Sequence, residues 1–309
     1  MKKYLSRPIH YFRKKTSNLR ADPDFLIIGA QKSGTTSLYY DLAAHPKLKP
    51  NVGPKEVSFF TTYYRHGINY YRSYFPLKKQ NQFYFQTSPY YLFHPLAPFR
   101  VSHHYPNMKL IAILRNPVHR AFSHFNHQKL AGRESLAFQD ALAAEEERLA
   151  GEEERLKNDP DYRSASHRNF SYVTRGLYIH QIDRWLQRFH ASQLLVLSSE
   201  EYFNQPENTL SKIYEFLGVQ PCLPLWVRKL KAEQEQESVL KRQANRLKYV
   251  WDRHHLSRLG LHRKINARPY EEFPSWEMKE RLFQFFYPYN EELFSRIGKD
   301  FGWNNKDQL

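Results

Sequence analysis

Four short stretches of the chain are apolar almost without interruption: FLII at Phe25–Ile28, QFYFQT at Gln82–Thr87, KLIAIL at Lys109–Leu114, and the QLLVL that precedes SSEEYF. Runs of that length, apolar at odd and even positions alike, suit strands of a parallel sheet buried on both faces. Between them the apolar residues recur at helical spacing. Val118, Phe122 and Phe125 share one face of a segment whose polar stripe is Asn116, Arg120, Ser123 and His127. Leu177, Ile182, Trp185 and Phe189 share another, and ENTLSKIYEFLGV closes at Gly218, as a helix ending on a glycine does. WEMKERLFQFFYPYNEELFSRIGKDFGW predicts a long amphipathic helix near the end. Residues 135–157 read as one charged helix with a solvated face, where the consecutive carboxylates Glu145 to Glu147 point around the helix and do not converge on a metal. Strands alternating with helices predict an α/β fold of three layers, a central parallel sheet flanked by helices.

Candidate chemistry gathers where strands end. Gly29 and Gly34 bracket a turn after the first run, and Thr35, Thr36 and Ser37 open a helix expected to end near His45-Pro46. The unpaired amides and positive dipole end of such a helix form an anion site. The two glycines have the separation of a Walker A loop, with Thr36 in its final place. Thr35, however, stands where that loop has its lysine, and the nearby lysine is Lys32, inside the turn. This argues against an ordinary ATPase or GTPase. After the third run, Arg115-Asn116-Pro117 turns strand into helix, with Asn as cap and Pro in the first position. The Arg115 fork and the Ser123 hydroxyl make a second candidate phosphate site. Between these two, Lys55-Glu56 precedes Phe59-Phe60, so that Glu56 reads either as a base beside apolar walls or as half of a surface ion pair. SPYYLFHP carries an aromatic cluster suited to stacking on a sugar or to packing the core, and His94, His103 and His104 read as packing or surface residues.

Charge changes the picture at two places. The net charge is +16, and residues 1–20 carry seven Lys or Arg without an acid while 226–268 carry twelve against four acids, leaving the rest nearly neutral. The second region includes a basic amphipathic helix on Leu240, Ala244, Leu247 and Trp251. The division expected is a basic segment 1–22, frayed and solvated, and one domain 23–309 with a basic helical insertion at about 226–268. Such flanks invite an anionic partner: a polysaccharide, a membrane surface or nucleic acid. No run approaches a membrane span, and the basic start lacks the apolar region of a secretory signal. Cys222 is the single cysteine, which excludes an internal disulfide and fits a cytoplasmic location.

GAQKSGTTSL resembles the 5′-phosphosulfate loop of sulfotransferases that use 3′-phosphoadenosine 5′-phosphosulfate, particularly the carbohydrate and heparan-sulfate type and its bacterial members. ILRNPVHRAFSHF is similar to that family's 3′-phosphate motif, an arginine and a serine eight residues apart, here Arg115 and Ser123. The resemblance runs from about Asp24 to Trp303. It implies a P-loop-like fold and in-line transfer of a sulfuryl group to a hydroxyl, less readily an amine, of a carbohydrate or glycolipid-like acceptor, with no metal and no nucleic acid. Lys32 would neutralise the bridging oxygen, Ser33, Gly34, Thr35 and Thr36 would hold the 5′-phosphate, and Arg115 and Ser123 the 3′-phosphate. Lys264 or Arg268 would add a contact from a loop over the donor. KE-x-x-FF is similar to the acceptor segment, which makes Glu56 the base and places Lys55, Phe59 and Tyr90 at the acceptor. Gln86 and Thr87 depart from the family, which has a glutamate and often a lysine there. Arg175-Gly176 matches its RG-x-Y helix start, lining the donor pocket or packing the helix. A nucleotide-dependent kinase-like protein and a non-catalytic polyanion binder stay open at this point, with a peripheral membrane contact; the oligomeric state is not legible.

Overall fold

The computed structural model describes residues 7–224, 226–227 and 275–306. The basic insertion, with the helix on Leu240–Trp251 and with Lys264 and Arg268, lies outside the described residues apart from Trp226 and Val227.

Five strands form one parallel sheet: β1 Phe25–Gly29, β2 Leu48–Pro50, β3 Phe83–Thr87, β4 Lys109–Leu114 and β5 Leu194–Ser198, in the order β2-β3-β1-β4-β5. The four apolar runs supply β1, β3, β4 and β5. β2 was not expected, since three residues ending in a proline carry no periodic signature; it sits at the sheet edge, where a proline is tolerated.

Alternate residues of each strand enter different cores, which is why the runs are apolar at every position. Phe25, Ile27, Phe85, Ile111 and Ile113 face helices α2 (Thr35–Ala43) and α12 (Pro206–Leu217), through Leu38, Leu42, Leu210, Ile213 and Leu217. The Phe25 and Phe85 rings stack with centroids 4.9 Å apart. Leu26, Ile28, Leu110, Ala112 and Leu114 face the other layer, built by α3 (Ile68–Arg72), α10 (Tyr178–Leu186) and α13 (Trp276–Ile297). A third cluster joins α13 to α5 (Pro117–Leu130) through Val118, Phe125, Met278, Leu282 and Phe286.

Two expectations change. The charged stretch is three helices, α6 Phe138–Ala143, α7 Glu145–Leu149 and α8 Glu152–Asn158, with Gly151 left-handed at φ 71° between the last two. It does not present a wholly solvated face, because Glu145 and Glu152 are buried and take donors from distant segments. The N-terminal segment is not frayed over its described part. Helix α1 (Arg7–Lys15) is pinned by Arg13, which donates to the Ser73 and Phe75 carbonyls at 2.6 Å each, and Arg20 donates to Phe75 O at 3.1 Å.

Candidate active site

The turn after β1 is fixed from both sides. Ala30 N donates to Ile113 O of β4 at 2.7 Å, and a Cβ on Gly29 would lie 2.5 Å from Leu92 Cβ, so no side chain fits there. Gly34 starts α2 at φ 94°, and a Cβ there would come within 2.9 Å of the Phe203 ring. Lys32 is itself left-handed at φ 69°, an unfavourable state for a lysine that the surrounding turn imposes. Ser33 and Thr35 are buried, Lys32 and Gly34 half-buried, and Thr36 exposed at the helix start.

The second motif lies against the first. β4 ends at Leu114, and Arg115 Nη1 donates to Lys32 O at 3.4 Å. The Arg115 carbonyl accepts from Tyr178 Oη at 2.9 Å, and Asn116 N donates to Glu200 at 2.9 Å. Asn116 caps α5 as expected, its Oδ1 accepting from Val118 N at 3.0 Å, with Pro117 first in the helix. Ser123 is half-buried and His127 exposed one turn further, whereas Arg120 of the same stripe is fully buried and donates to the Tyr172 carbonyl. The stripe thus runs from the interior to the open side of the helix.

The third motif also reaches the loop. Lys55 Nζ donates to Thr36 Oγ1 at 2.6 Å and lies 3.4 Å from Glu56 Oε1, an ion pair seated at the start of α2. Glu56 remains exposed. Phe59 and Tyr90 are elsewhere than expected. Phe59 is fully buried, its ring stacked on Tyr71 at 4.8 Å. Tyr90 is buried with its hydroxyl 2.8 Å from His167 Nδ1, and burial pushes the phenol up to about 12. Phe59 packs within the aromatic cluster around Tyr71, and Tyr90 against His94, His167 and the Arg175 guanidinium. Gln86 and Thr87 are likewise buried, Gln86 Nε2 donating to the Thr87 carbonyl.

Sequence reasoning left one contact undetected. Arg175, 2% exposed, stands behind the loop, and its Nη1 donates to Gln31 Oε1 while Nη2 donates to the His167 and Arg168 carbonyls at 2.8 and 3.1 Å. Its guanidinium lies over the Phe93 and Tyr90 rings at 4.7 and 5.3 Å, and burial lowers its pKa to about 9. Glu145 holds the turn that carries it, accepting from Val173 N, Thr174 N and Thr174 Oγ1 at 2.7, 2.8 and 2.8 Å. Burial nevertheless raises the Glu145 carboxyl above its usual range. The RG pair flagged Arg175; Gln31 gave no signal.

A parallel sheet with a glycine-bracketed turn, a helix N-terminus and a second basic strand end beside it is an α/β arrangement suited to an anion. The chain belongs to the sulfotransferase domain family, whose model matches residues 22–260. It is 35% identical over 206 residues to the bifunctional heparan sulfate N-deacetylase/N-sulfotransferase 1 of Xenopus laevis, covering 64% of this chain and 22% of that protein. It therefore spans about a fifth of the length of that group of relatives. It is 28% identical over 292 residues to human heparan sulfate glucosamine 3-O-sulfotransferase 6, covering 92% and 74% of the two chains. The crystal structure of a sulfotransferase from Alicyclobacillus acidocaldarius superposes with a TM-score of 0.65 at 26% identity, covering 92% of this chain and all of that one.

Proposed function

We propose that the protein transfers a sulfuryl group from 3′-phosphoadenosine 5′-phosphosulfate to a hydroxyl of a carbohydrate or glycolipid acceptor of the heparan-sulfate kind. The observation that carries this reading is the meeting of three motifs at one loop: Arg115 on the Lys32 carbonyl, Lys55 on Thr36, and Glu56 beside Lys55. The loop amides from Ser33 to Thr36 hold the 5′-phosphate, and Arg115 with Ser123 holds the 3′-phosphate. The acceptor oxygen attacks sulfur in line, an O–S bond forming as the S–O bond to the 5′-phosphate breaks. Glu56 takes the hydroxyl proton, and Lys32 meets the charge on the leaving oxygen. Adenosine 3′,5′-bisphosphate departs. The relatives are a heparan sulfate N-sulfotransferase and a heparan sulfate glucosamine 3-O-sulfotransferase, so nitrogen and oxygen acceptors on heparan-sulfate-type glycans form the class to screen. A cytoplasmic setting fits a chain with Cys222 as its single cysteine.

Calorimetric titration with adenosine 3′,5′-bisphosphate, against ATP with Mg²⁺ and adenosine 5′-phosphate, tests the donor. Preference for the bisphosphate, weakened at least about tenfold by Arg115→Ala, is expected from loss of a charge-assisted phosphate contact. Preference for ATP with Mg²⁺ overturns the donor assignment. Glu56→Gln should lower turnover by about 10²- to 10⁴-fold, the range of a general base, while leaving bisphosphate affinity unchanged.

A further inference from the structure

Helix α1 and the turn after it are amphipathic in the wrong sense for a surface helix. The side chains turned to the protein are polar: His10 lies against the Tyr70 and Tyr74 rings at 4.9 and 5.0 Å, Arg13 and Arg20 donate to backbone carbonyls, and Ser17 is buried. These positions follow one another at three- and four-residue steps. The side chains turned outward are apolar, Tyr11 at 62%, Phe12 at 65% and Leu19 at 59% exposure. Leu77, 53% exposed, belongs to the same face, because Arg20 pairs with Leu77 as an antiparallel bridge and Lys78 N donates to Leu19 O at 3.1 Å. Exposed lysines surround them: Lys14, Lys15, Lys78 and Lys79, with Lys15 Nζ 5.0 Å from the centre of the Tyr11 ring. The nearby acids are engaged, Asp22 by Arg72 and Tyr105, and Asp24 by the Tyr84 amide.

We propose that this face seats the enzyme on an anionic lipid surface, Tyr11, Phe12, Leu19 and Leu77 entering the interface and the four lysines meeting headgroup charge. Aromatic and aliphatic side chains set within a basic rim have the composition of an interfacial helix. A sulfated polysaccharide would satisfy the lysines but gives Leu19 and Leu77 no apolar partner. The chain's own remaining segments are poor candidates on charge, since residues 1–6 and 228–274 are themselves basic in sequence. A second copy would set lysine against lysine. The proposal does not depend on the donor or acceptor assigned above.

The test is co-sedimentation of the full chain with vesicles of phosphatidylcholine alone and of phosphatidylcholine with phosphatidylserine, with soluble heparin binding and sedimentation equilibrium measured in parallel. Binding is expected on the mixed vesicles and not on the neutral ones. Phe12→Ser with Leu19→Ser should weaken it at least about tenfold, and each of Lys14→Ala and Lys78→Ala about fivefold. Circular dichroism and bisphosphate affinity should be unchanged, since none of these residues supports the fold or the site. Equal binding by the double variant, or heparin binding without vesicle binding, overturns the proposal. So does a dimer that the double variant abolishes.

Discussion

On one side of the sheet, Phe25, Ile27, Phe85, Ile111 and Ile113 meet the apolar side chains of α2 and α12, with one buried carboxylate, Asp41 of α2, accepting from Tyr202 and from Trp226 Nε1 at 2.8 Å. Between Glu134 and Arg175 buried carboxylates stand among apolar positions such as Phe138 and Leu156: Glu134 accepts from Arg148 Nη1 at 2.7 Å and Tyr172 Oη at 2.8 Å, and Glu145 from the 173–174 backbone. Glu152 accepts from Tyr162 and from Ser164 Oγ, which in turn accepts from His167 N at 2.8 Å. Against the burial that opposes it, Arg148, the Leu136 amide and Tyr172 hold the Glu134 carboxyl below its usual range. The glycine-bracketed turn after β1 joins the two regions, its strand paired in the sheet and its Gln31 accepting from Arg175. Apolar packing fixes a strand without specifying which polar group comes near. Buried carboxylates and arginines, costly unless every donor is matched, fix which side chain arrives.

Substitutions and pH should separate the two regions. The largest effect is expected in the sheet: Phe25→Ala removes a fully buried, stacked ring and should cost about 3–5 kcal/mol by urea denaturation, equally at about pH 5 and pH 7.5. A penalty that changes with pH would show that the sheet core is coupled to titrating groups.

Glu145→Ala comes next. It leaves three donors without their acceptor and should cost about 3 kcal/mol. It should also weaken bisphosphate binding, as should Arg175→Met, because both loosen the hold on Gln31. Stability lost from either without weaker binding would break the link between this layer and the loop.

The pH dependence follows from buried histidines: His94, His167, and His124, which lies against Tyr172 and whose pKa burial holds well below the ordinary value. Burial and nearby arginines hold His94 at about 3 and His167 at about 2, so both stay neutral in the folded protein at pH 5. The unfolded chain takes up their protons below about pH 6.5 and thus binds more protons, so stability is lost as pH falls from there toward the folded values. Each contributes at most about 1.4 kcal/mol per pH unit. Thermal melts should fall between about pH 6.5 and pH 5, and His167→Asn should flatten the slope. An unchanged slope would remove His167 from the account. The raised pKa of Glu145 acts in the opposite sense and at lower pH, its stabilising share being lost as pH rises through the folded value.

The smallest effect belongs to the turn itself. Gly34→Ala forces a left-handed residue against Phe203 and should cost about 1–2 kcal/mol, checked by denaturation and bisphosphate titration.

Much of the positioning framework was readable from local pattern. Four apolar runs are four strands, Asn116 and Pro117 start α5 as their types require, and Gly218 ends α12 left-handed. These are properties of neighbouring residues, so they survive in one dimension. Lys32 and Arg115 were singled out because they follow strand ends, where sequence punctuation is strongest, whereas Lys55 and Glu56, in the loop after β2, rest on the KE-x-x-FF resemblance. Phe59 and Tyr90 were placed at the acceptor by the family resemblance, whereas in the fold Phe59 stacks on Tyr71 and Tyr90 packs on His167.

The sequence by itself determined four of the five strands, the helix starts at Thr35 and Pro117 and the glycine-bracketed turn, all set by steric, capping and periodicity rules acting over a few residues, and it carries the two basic flanks. Only the tertiary structure decided that Glu145 turns inward, that Arg175 meets Gln31 across 144 positions of chain, and that α1 docks by its polar side with its rings outward. The reason is physical. Periodicity reports which residues are apolar, but a charged side chain is buried only where distant segments bring it matching donors or acceptors.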